Sequence, residues 1–322
     1  MEPVRFGLIG LGRHGRRYAA HLMGDVPGAR LVAVSRRDEA AGRAFAAQHG
    51  LAFHPRYEAL LSDPAVEAVA VVVPPDLHEA ICLAALRAGR PVLVEKPLAP
   101  TLAAARRIAA AAEPAGVPCM VAQTLRFNAV VGALRQRLPG IGPLRTLALN
   151  QRFEPSPLPW LDDPGPGGIV KNTGVHGFDL VRHLSGGEVR EVLCDVRRIR
   201  TRRTEDAFAA ILRLEASGVV VTVDGSRVAG GRSGRIEACG EAGQLVGDHV
   251  LGTLAEIRGT ALTPLPAPPP VATIREALCA FAAFVRGEAP NPIPAAEGVR
   301  AMAIVEACLR SAASGRFEPV EE

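Results

Sequence analysis

Three glycines near the N-terminus constrain this chain more than anything else in it. Gly10, Gly12 and Gly15 form G-x-G-x-x-G directly after an alternating β-branched run, residues 4–9, and at the opening of a helical segment. In that setting the first glycine permits a tight turn and the second lets backbone approach a pyrophosphate. The third lets the helix lie close to the strand, with its N-terminal amides facing the anion. Leu11, Arg13 and His14 complete the turn. Such a turn needs a parallel sheet behind it, and the following residues supply one. Short apolar runs at 31–34, 69–73, 92–94 and 119–122 alternate with helical segments at 16–23, 40–49, 77–88 and 102–112, the rhythm of βαβ units. Asp38, Asp76 and Thr101 are expected helix caps, and Gly24, Gly89 and Gly116 expected stops.

After about Gly140 the pattern changes. Strands at 144–153, 189–200, 208–214, 219–223 and 235–239 follow one another with a single helix, 169–184, among them, which predicts an open, mainly antiparallel sheet. That helix is entered through a loop, 154–168, rich in Pro and Gly and carrying the only tryptophan, Trp160. A Pro-rich connector at 264–270 precedes two closing helices, 274–286 and 295–314. The expected fold class is therefore α/β. A doubly wound parallel sheet over residues 1–122 is followed by an α+β domain over 123–322, and 322 residues are enough for two domains.

The charge excludes some functions. A net charge of +4 with scattered arginines gives no basic stripe with interleaved aromatics, so nucleic acid is not an expected partner. The sequence offers no leader pattern and no long apolar run, which predicts a cytoplasmic protein without membrane partners. Six cysteines lie far apart, without C-x-x-C or finger spacing. Reduced thiols are expected, and no metal.

The end of the second strand reads Ser35-Arg36-Arg37, where an NAD enzyme usually carries an acid for the ribose 2′-hydroxyl. A hydroxyl and two guanidiniums suit a 2′-phosphate, so NADP is the expected cofactor. The alternative is NAD, with the arginines solvated and Asp38 on the ribose. Glu95-Lys96-Pro97 follows the fourth strand, at the edge where doubly wound sheets bind ligands. Basic residues here are almost all arginine, with lysine only at 96 and 171. Lys96 could hydrogen-bond a reacting oxygen and stabilise its developing charge, a task for a compact ammonium. In the later helix Asn172, His176, Asp179 and His183 fall at spacings that share one α-helical face. Such a stripe is either simply solvated or lines a site. Gly167 and Gly168 favour the site, and His176 can exchange a proton near neutral pH.

In these residues and others beyond them, the chain resembles the Gfo/Idh/MocA oxidoreductase family over nearly its whole length. The resemblance rests on the Gly-rich turn, on Val73-Pro74-Pro75-Asp76-Leu77-His78, on Glu95-Lys96-Pro97, and on Arg126-Phe127. It continues through Gly167-Gly168, Gly174-Val175-His176-Gly177-Phe178-Asp179 and Cys239-Gly240-Glu241-Ala242-Gly243 to the closing helix around Ala307 and Ser311. It implies an N-terminal Rossmann domain and a C-terminal sheet that forms homodimer or homotetramer contacts. It also implies that Lys96 and His176 flank a sugar-like or polyol substrate while hydride moves to or from a nicotinamide. Val73, Pro74, Pro75, His78 and Glu95 would lie along the dinucleotide, with Gln123 near its nicotinamide end. One departure stands out, because Asn172 occupies a position where the family often carries Asp. Asn172 thus joins Lys96 and His176 as a candidate catalytic residue, and without a carboxylate there protonated His176 should be less favoured. Two other activities fit the resemblance: glycoside processing with transient use of the dinucleotide, and a catalytically silent dinucleotide sensor.

Substituting Arg36→Asp is expected to turn cofactor preference from NADP toward NAD. The ratio of kcat/KM for the two cofactors measures this, and an unchanged ratio removes Arg36 from the ribose site.

Overall fold

The computed structural model describes residues 2–156, 159–215 and 218–321. In chain order the first elements are β1 (Val4–Ile9), α1 (Arg13–Gly24), β2 (Ala29–Ser35), α2 (Glu39–His49), β3 (Ala52–His54), α3 (Tyr57–Leu61) and β4 (Ala68–Val71). Then come α4 (His78–Arg87), β5 (Val92–Glu95), α5 (Leu102–Ala115), β6 (Cys119–Ala122) and α6 (Ala129–Arg137). β7 (Leu144–Arg152), α7 (Val175–Ser185), β8 (Val189–Arg197), β9 (Ala207–Leu214), β10 (Val220–Ser226) and β11 (Arg235–Gly240) follow. The chain closes with β12 (Gly243–Asp248), β13 (Thr253–Arg258), β14 (Ala261–Pro264), α8 (Thr273–Val285), α9 (Ala295–Ser314) and β15 (Glu318–Pro319). These elements sort into two compact units, Met1–Thr124 with Ala272–Val299 and Leu125–Val271 with Arg300–Glu322.

The first unit is built on a six-stranded, all-parallel sheet in the order β3-β2-β1-β4-β5-β6. The order reverses between β1 and β4, which opens a crevice beyond their carboxyl ends. Its strands are continuous apolar runs because both faces are covered: Phe6, Leu8, Val71, Val92 and Val94 have no exposed surface. Asp38 caps α2 by accepting from Ala41 N at 3.1 Å, and Thr101 Oγ1 accepts from Ala104 N at 3.3 Å. Asp76 does not cap a helix. It lies inside a 3-10 turn, Pro75–Leu77, whose first proline has no N–H to satisfy, and Leu77 takes the N-cap position of α4. β3 and α3 are too short to leave a periodic signature.

Residues 272–299 pack with this unit, whereas the sequence pattern groups them with residues 123–322. The reason is an apolar face that the first sheet completes. Phe281 of α8 meets Phe6 of β1 edge-on, 5.9 Å between ring centres, and both are fully buried. Arg286 Nη1 donates to Gly28 O at 2.8 Å, Asn291 Nδ2 to Cys119 O at 2.9 Å, and Val121 N to Ile293 O at 3.0 Å.

The second unit holds a nine-stranded sheet in the order β14-β13-β12-β11-β7-β10-β9-β8-β15. Every pair is antiparallel except β7 with β10. Burial alternates along its strands: in β9, Phe208, Ala210, Leu212 and Leu214 are buried, whereas Ala209, Ile211 and Arg213 are exposed. α7 packs on β7 and β10, and α6 lies against β12. The sequence pattern misses α6, whose apolar residues barely segregate to one side. What starts it is Asn128, whose Oδ1 accepts from Val130 N and Val131 N. Among the described residues no helix is long and apolar enough to cross a membrane. All six cysteines are free thiols, four of them buried.

On β8, Cys194 N donates to the hydroxyl of fully buried Ser311 in α9 at 2.9 Å, and that hydroxyl donates to Arg316 O at 2.6 Å. One side chain thus satisfies two backbone groups beside a strand that β15 covers only at Glu191 and Val192. Ser311→Ala is expected to cost about 1–3 kcal/mol. It would be read as a lower urea midpoint at unchanged m-value; an unchanged midpoint would mean that other groups replace the hydroxyl.

Candidate active site

At the crevice of the first sheet the three glycines divide their work. A Cβ on Gly10, which has φ +104°, would run into the Val72 carbonyl, and one on Gly15 would strike the Gly10 carbonyl. These two are glycines because the backbone packs there. A Cβ on Gly12 would meet nothing within 4 Å. Gly12 is the N-cap of α1, which therefore starts at Arg13, with no side-chain cap and no acidic residue in its first turn. Free N–H groups and the positive end of the helix dipole face that open space, an arrangement that suits an anion.

Around it stand the other residues marked by the sequence. Ser35 is buried at the end of β2, and its carbonyl accepts from Gly10 N at 2.9 Å. Arg36 reaches Leu11 O at 3.3 Å and Asp38 Oδ2 at 3.2 Å, whereas Arg37 is exposed. Pro75 is buried, Pro74 is exposed and Val73 lies between those limits. His78 is fully buried, its two ring nitrogens each 3.0 Å from a carbonyl, Pro97 O and Val73 O. Burial pulls its pKa below the usual histidine value, against the raising effect of those carbonyls.

Glu95 holds this edge together. Its Oε1 accepts from Tyr18 O–H at 2.6 Å and meets His14 Nε2 at 2.7 Å, and its Oε2 accepts from Lys96 N at 3.0 Å. Burial would raise its pKa, but the His14 bond, the charges of His14 and Lys96 and the Tyr18 bond outweigh it, bringing the group to about 2. Tyr18 is pushed well above its ordinary value by burial and by the same carboxylate. Lys96 is half-buried, and its peptide bond to Pro97 is cis.

Gln123, directly after β6, is 1% exposed, and neither its Nε2 nor its Oε1 has a hydrogen-bond partner. An unsatisfied buried amide costs about 1–3 kcal/mol per group, and a carboxamide-bearing ligand would offer both a donor and an acceptor. The open cradle at Gly12 and the orphaned amide of Gln123 both fit a nicotinamide dinucleotide.

In the second unit the approach to α7 is tightly built. A Cβ on Gly167 would run into the Leu161 and Asp163 carbonyls, and one on Gly168, φ +87°, into the Glu205 carboxylate. Glu205 Oε1 accepts from Val170 N at 3.1 Å. The helix then opens with a π-helical turn, Val170–Gly174, in which Val175 N donates to Val170 O five residues back, a feature common at functional sites. This wider turn takes Asn172 off the α-helical spacing that would align it with His176. Asn172 is buried, and its Nδ2 donates to Pro166 O and Gly168 O, both at 2.9 Å.

Nor is the polar stripe a solvated face. Asp179 is 1% exposed and makes a two-bond fork with Arg126, Nε to Oδ2 at 2.8 Å and Nη2 to Oδ1 at 2.6 Å. His176 and His183 are half-buried, while Val175, Phe178, Val181 and Leu184 pack in the core.

The sequence pattern misses Gln151, Glu205 and Arg227. Gln151 on β7 is buried with Oε1 unpartnered, and Arg227 Nη2 donates to Thr173 Oγ1 at 3.1 Å. Burial lowers Arg227 to about 10 despite Glu205, and burial raises Glu205. Arg227, Glu205, Thr201, Ser156 and Leu161 line a cavity of about 130 Å³. Gln151 leaves a legible sign, an amide at the inward position that Leu149 and Leu147 occupy two and four residues earlier. Pro157 and Leu158 of the entry loop lie outside the described residues.

A parallel sheet that reverses at β1, an uncapped helix behind a Gly-rich turn and an orphaned amide at the sheet edge together define a Rossmann-type dinucleotide-binding protein. Residues 4–123 match the Gfo/Idh/MocA model described as "Oxidoreductase family, NAD-binding Rossmann fold", and residues 141–246 match the C-terminal domain model of that family. The chain belongs to the Gfo/Idh/MocA oxidoreductase family. It is 33% identical to inositol 2-dehydrogenase 1 of Saccharopolyspora erythraea, over 99% of this chain and 96% of that protein. It is 28% identical to 1,5-anhydro-D-fructose reductase of Ensifer adhaerens, over 98% of each. Among solved structures, a probable dehydrogenase from Thermotoga maritima is 27% identical and superposes with a TM-score of 0.86, over 98% of this chain and 99% of that one.

With a folded pKa depressed from 4.5 to about 2, Glu95 contributes stability that is fully present above about pH 4.5 and lost as pH falls toward 2. Glu95→Gln is expected to cost about 3 kcal/mol at neutral pH. In denaturant titrations the gap to the native protein should close between pH 4.5 and 2, whereas a gap independent of pH would assign the loss to packing.

Proposed function

We propose that this protein is an NADP-preferring dehydrogenase or reductase acting on a CH–OH group of a sugar, a polyol or a related cyclic compound. The observation that carries the cofactor part is Gln123, a fully buried amide with both polar atoms unpartnered, beside a sheet whose order favours a dinucleotide. The substrate class is supported by relatives named inositol 2-dehydrogenase and 1,5-anhydro-D-fructose reductase. Residues 1–122 would bind the dinucleotide, and residues 123–322 the substrate and a further copy of the chain. Ile211 and Val220, exposed on one face of the second sheet, support a homodimer or homotetramer formed through that face.

When bound, the nicotinamide accepts or returns the hydride. Gly10 to Gly15, with Leu11, Arg13 and His14, would hold the pyrophosphate at the start of α1. Ser35, Arg36 and Arg37 would hold the 2′-phosphate, with NAD the alternative if Arg36 keeps its bond to Asp38. Val73, Pro74, Pro75 and His78 would support the nicotinamide half, and Glu95 would fix the start of Lys96. The Lys96 ammonium hydrogen-bonds the reacting oxygen and stabilises its charge as the C–H bond breaks. His176 takes the hydroxyl proton in oxidation and returns it in reduction.

Lys96→Ala is the deciding experiment, with inositols and their keto forms as substrates and both cofactors supplied. Turnover should fall by about 10²–10³ while NADPH binding, followed by fluorescence, stays within a factor of about two. Full turnover in the variant would remove Lys96 from the chemistry. A native protein that binds NADPH yet turns over none of these compounds would favour the sensor.

A further inference from the structure

The two residues that open the π-helical turn, Lys171 and Asn172, both reach backward to the loop just crossed. Lys171 Nζ lies 3.0 Å from Gly165 O and 3.5 Å from Pro164 O, and Asn172 Nδ2 lies 2.9 Å from both Pro166 O and Gly168 O. Two adjacent side chains therefore grip four carbonyls of one five-residue stretch. On its other side the loop is fastened by Asp162, whose carboxylate accepts from Arg203 N at 2.7 Å, Thr204 N at 2.9 Å and Arg202 N at 3.1 Å.

We propose that Lys171 and Asn172 form a clamp that fixes loop 161–168 against the π-helical turn, and that Asn172 is a positioning residue acting through this loop. Hydrogen-bond chemistry decides the residue types. The four loop carbonyls are acceptors only, so the clamp must consist of donors. An asparagine amide has two N–H groups on one nitrogen, matching the two carbonyls at 2.9 Å. An aspartate in its place would set acceptor against acceptor at the same distance. The departure from the carboxylate often carried at this position thus follows from what the loop needs. Lys171 fits the same logic, since an ammonium offers three rotatable donors to neighbouring carbonyls without needing a planar partner. A Cβ at Gly167 would run into the Asp163 and Leu161 carbonyls, so the clamped path of the loop requires glycine there. His176 follows Asn172 on the same helix, so the clamp also sets where its ring is carried.

The inference rests on the oxidoreductase reading only for its activity readout. Amide exchange of the loop tests it directly, because Gly167 N donates to Asp163 O and Gly168 N to Leu161 O. With Asn172→Ala, protection of these amides should fall about thirtyfold, the equilibrium worth of two ordinary hydrogen bonds. With Lys171→Met it should fall about threefold, as suits exposed bonds. With Asn172→Asp, protection should be lost at neutral pH and partly return as pH falls through the carboxyl range, since a protonated carboxyl regains one donor. Its kcat/KM relative to the native protein should rise over the same interval. Unchanged protection in both Asn172→Ala and Lys171→Met overturns the clamp even if Asn172→Asp fails to fold. Failure of the substrate screen would overturn the proposed activity and leave the exchange result standing.

Discussion

A carboxylate without water needs donors in its place, and in the first unit the Glu95 carboxylate brings together the parts that have to meet. Tyr18 and His14 come from α1, and the third donor is the backbone of Lys96. The bonds that keep Glu95 ionised inside the protein therefore tie the anion-facing start of α1 to the end of β5. His78 adds a second tie, from the loop after β4 to Pro97. Three loops at the carboxyl edge of the sheet are thereby held by two buried titratable side chains. Burial pushes both toward their neutral forms; the donors around Glu95 outweigh it, whereas the two carbonyls that face the His78 ring nitrogens do not.

The second unit meets a similar demand differently. α7 is buried on nearly every side, so its polar residues must find partners within the protein. Asp179 does so through the Arg126 fork, in which two parallel charge-assisted bonds offset the desolvation of both groups. Asn172 does so through the loop. The π-helical turn makes that second solution available: it adds a residue to the helix and presents Lys171 and Asn172 to the preceding chain while Val175 and Phe178 remain in the core.

Much of this was legible in the sequence, and the limits have physical causes. β1 and β6 fall where their β-branched runs fall, and Asp38 and Thr101 cap as their positions predict, because these signals are local. Asp76 looks like a cap, but the preceding prolines turn the chain first. α6 is set mainly by Asn128 and leaves little pattern. β3 and β14 are only three and four residues long, and β12 and β13 carry no β-branched run; consecutive hairpin pairing with β11 and with one another is what makes β12, β13 and β14 strands. The place of α8 depends on Phe281 finding Phe6, a contact across 275 positions that no window of sequence contains. In the candidate site the glycines and Glu95-Lys96-Pro97 were legible as motifs. The Arg126–Asp179 fork and the orphaned amides of Gln123 and Gln151 were not, since a partner, or the lack of one, exists only in the fold.

The contrast between arginine and lysine shows how residue chemistry sorts into these places. Arginine takes the sites where a carboxylate waits: Arg126 forks onto Asp179, and Arg182 onto Glu188 with bonds of 2.5 and 2.7 Å. A planar guanidinium gains most from such a planar partner. Lys171 faces carbonyls that present no plane to match, and there a point charge with rotatable donors loses nothing by comparison. Lys96 emerges from a corner pinned by Glu95 and His78, which fixes its backbone at the carboxyl edge of the sheet.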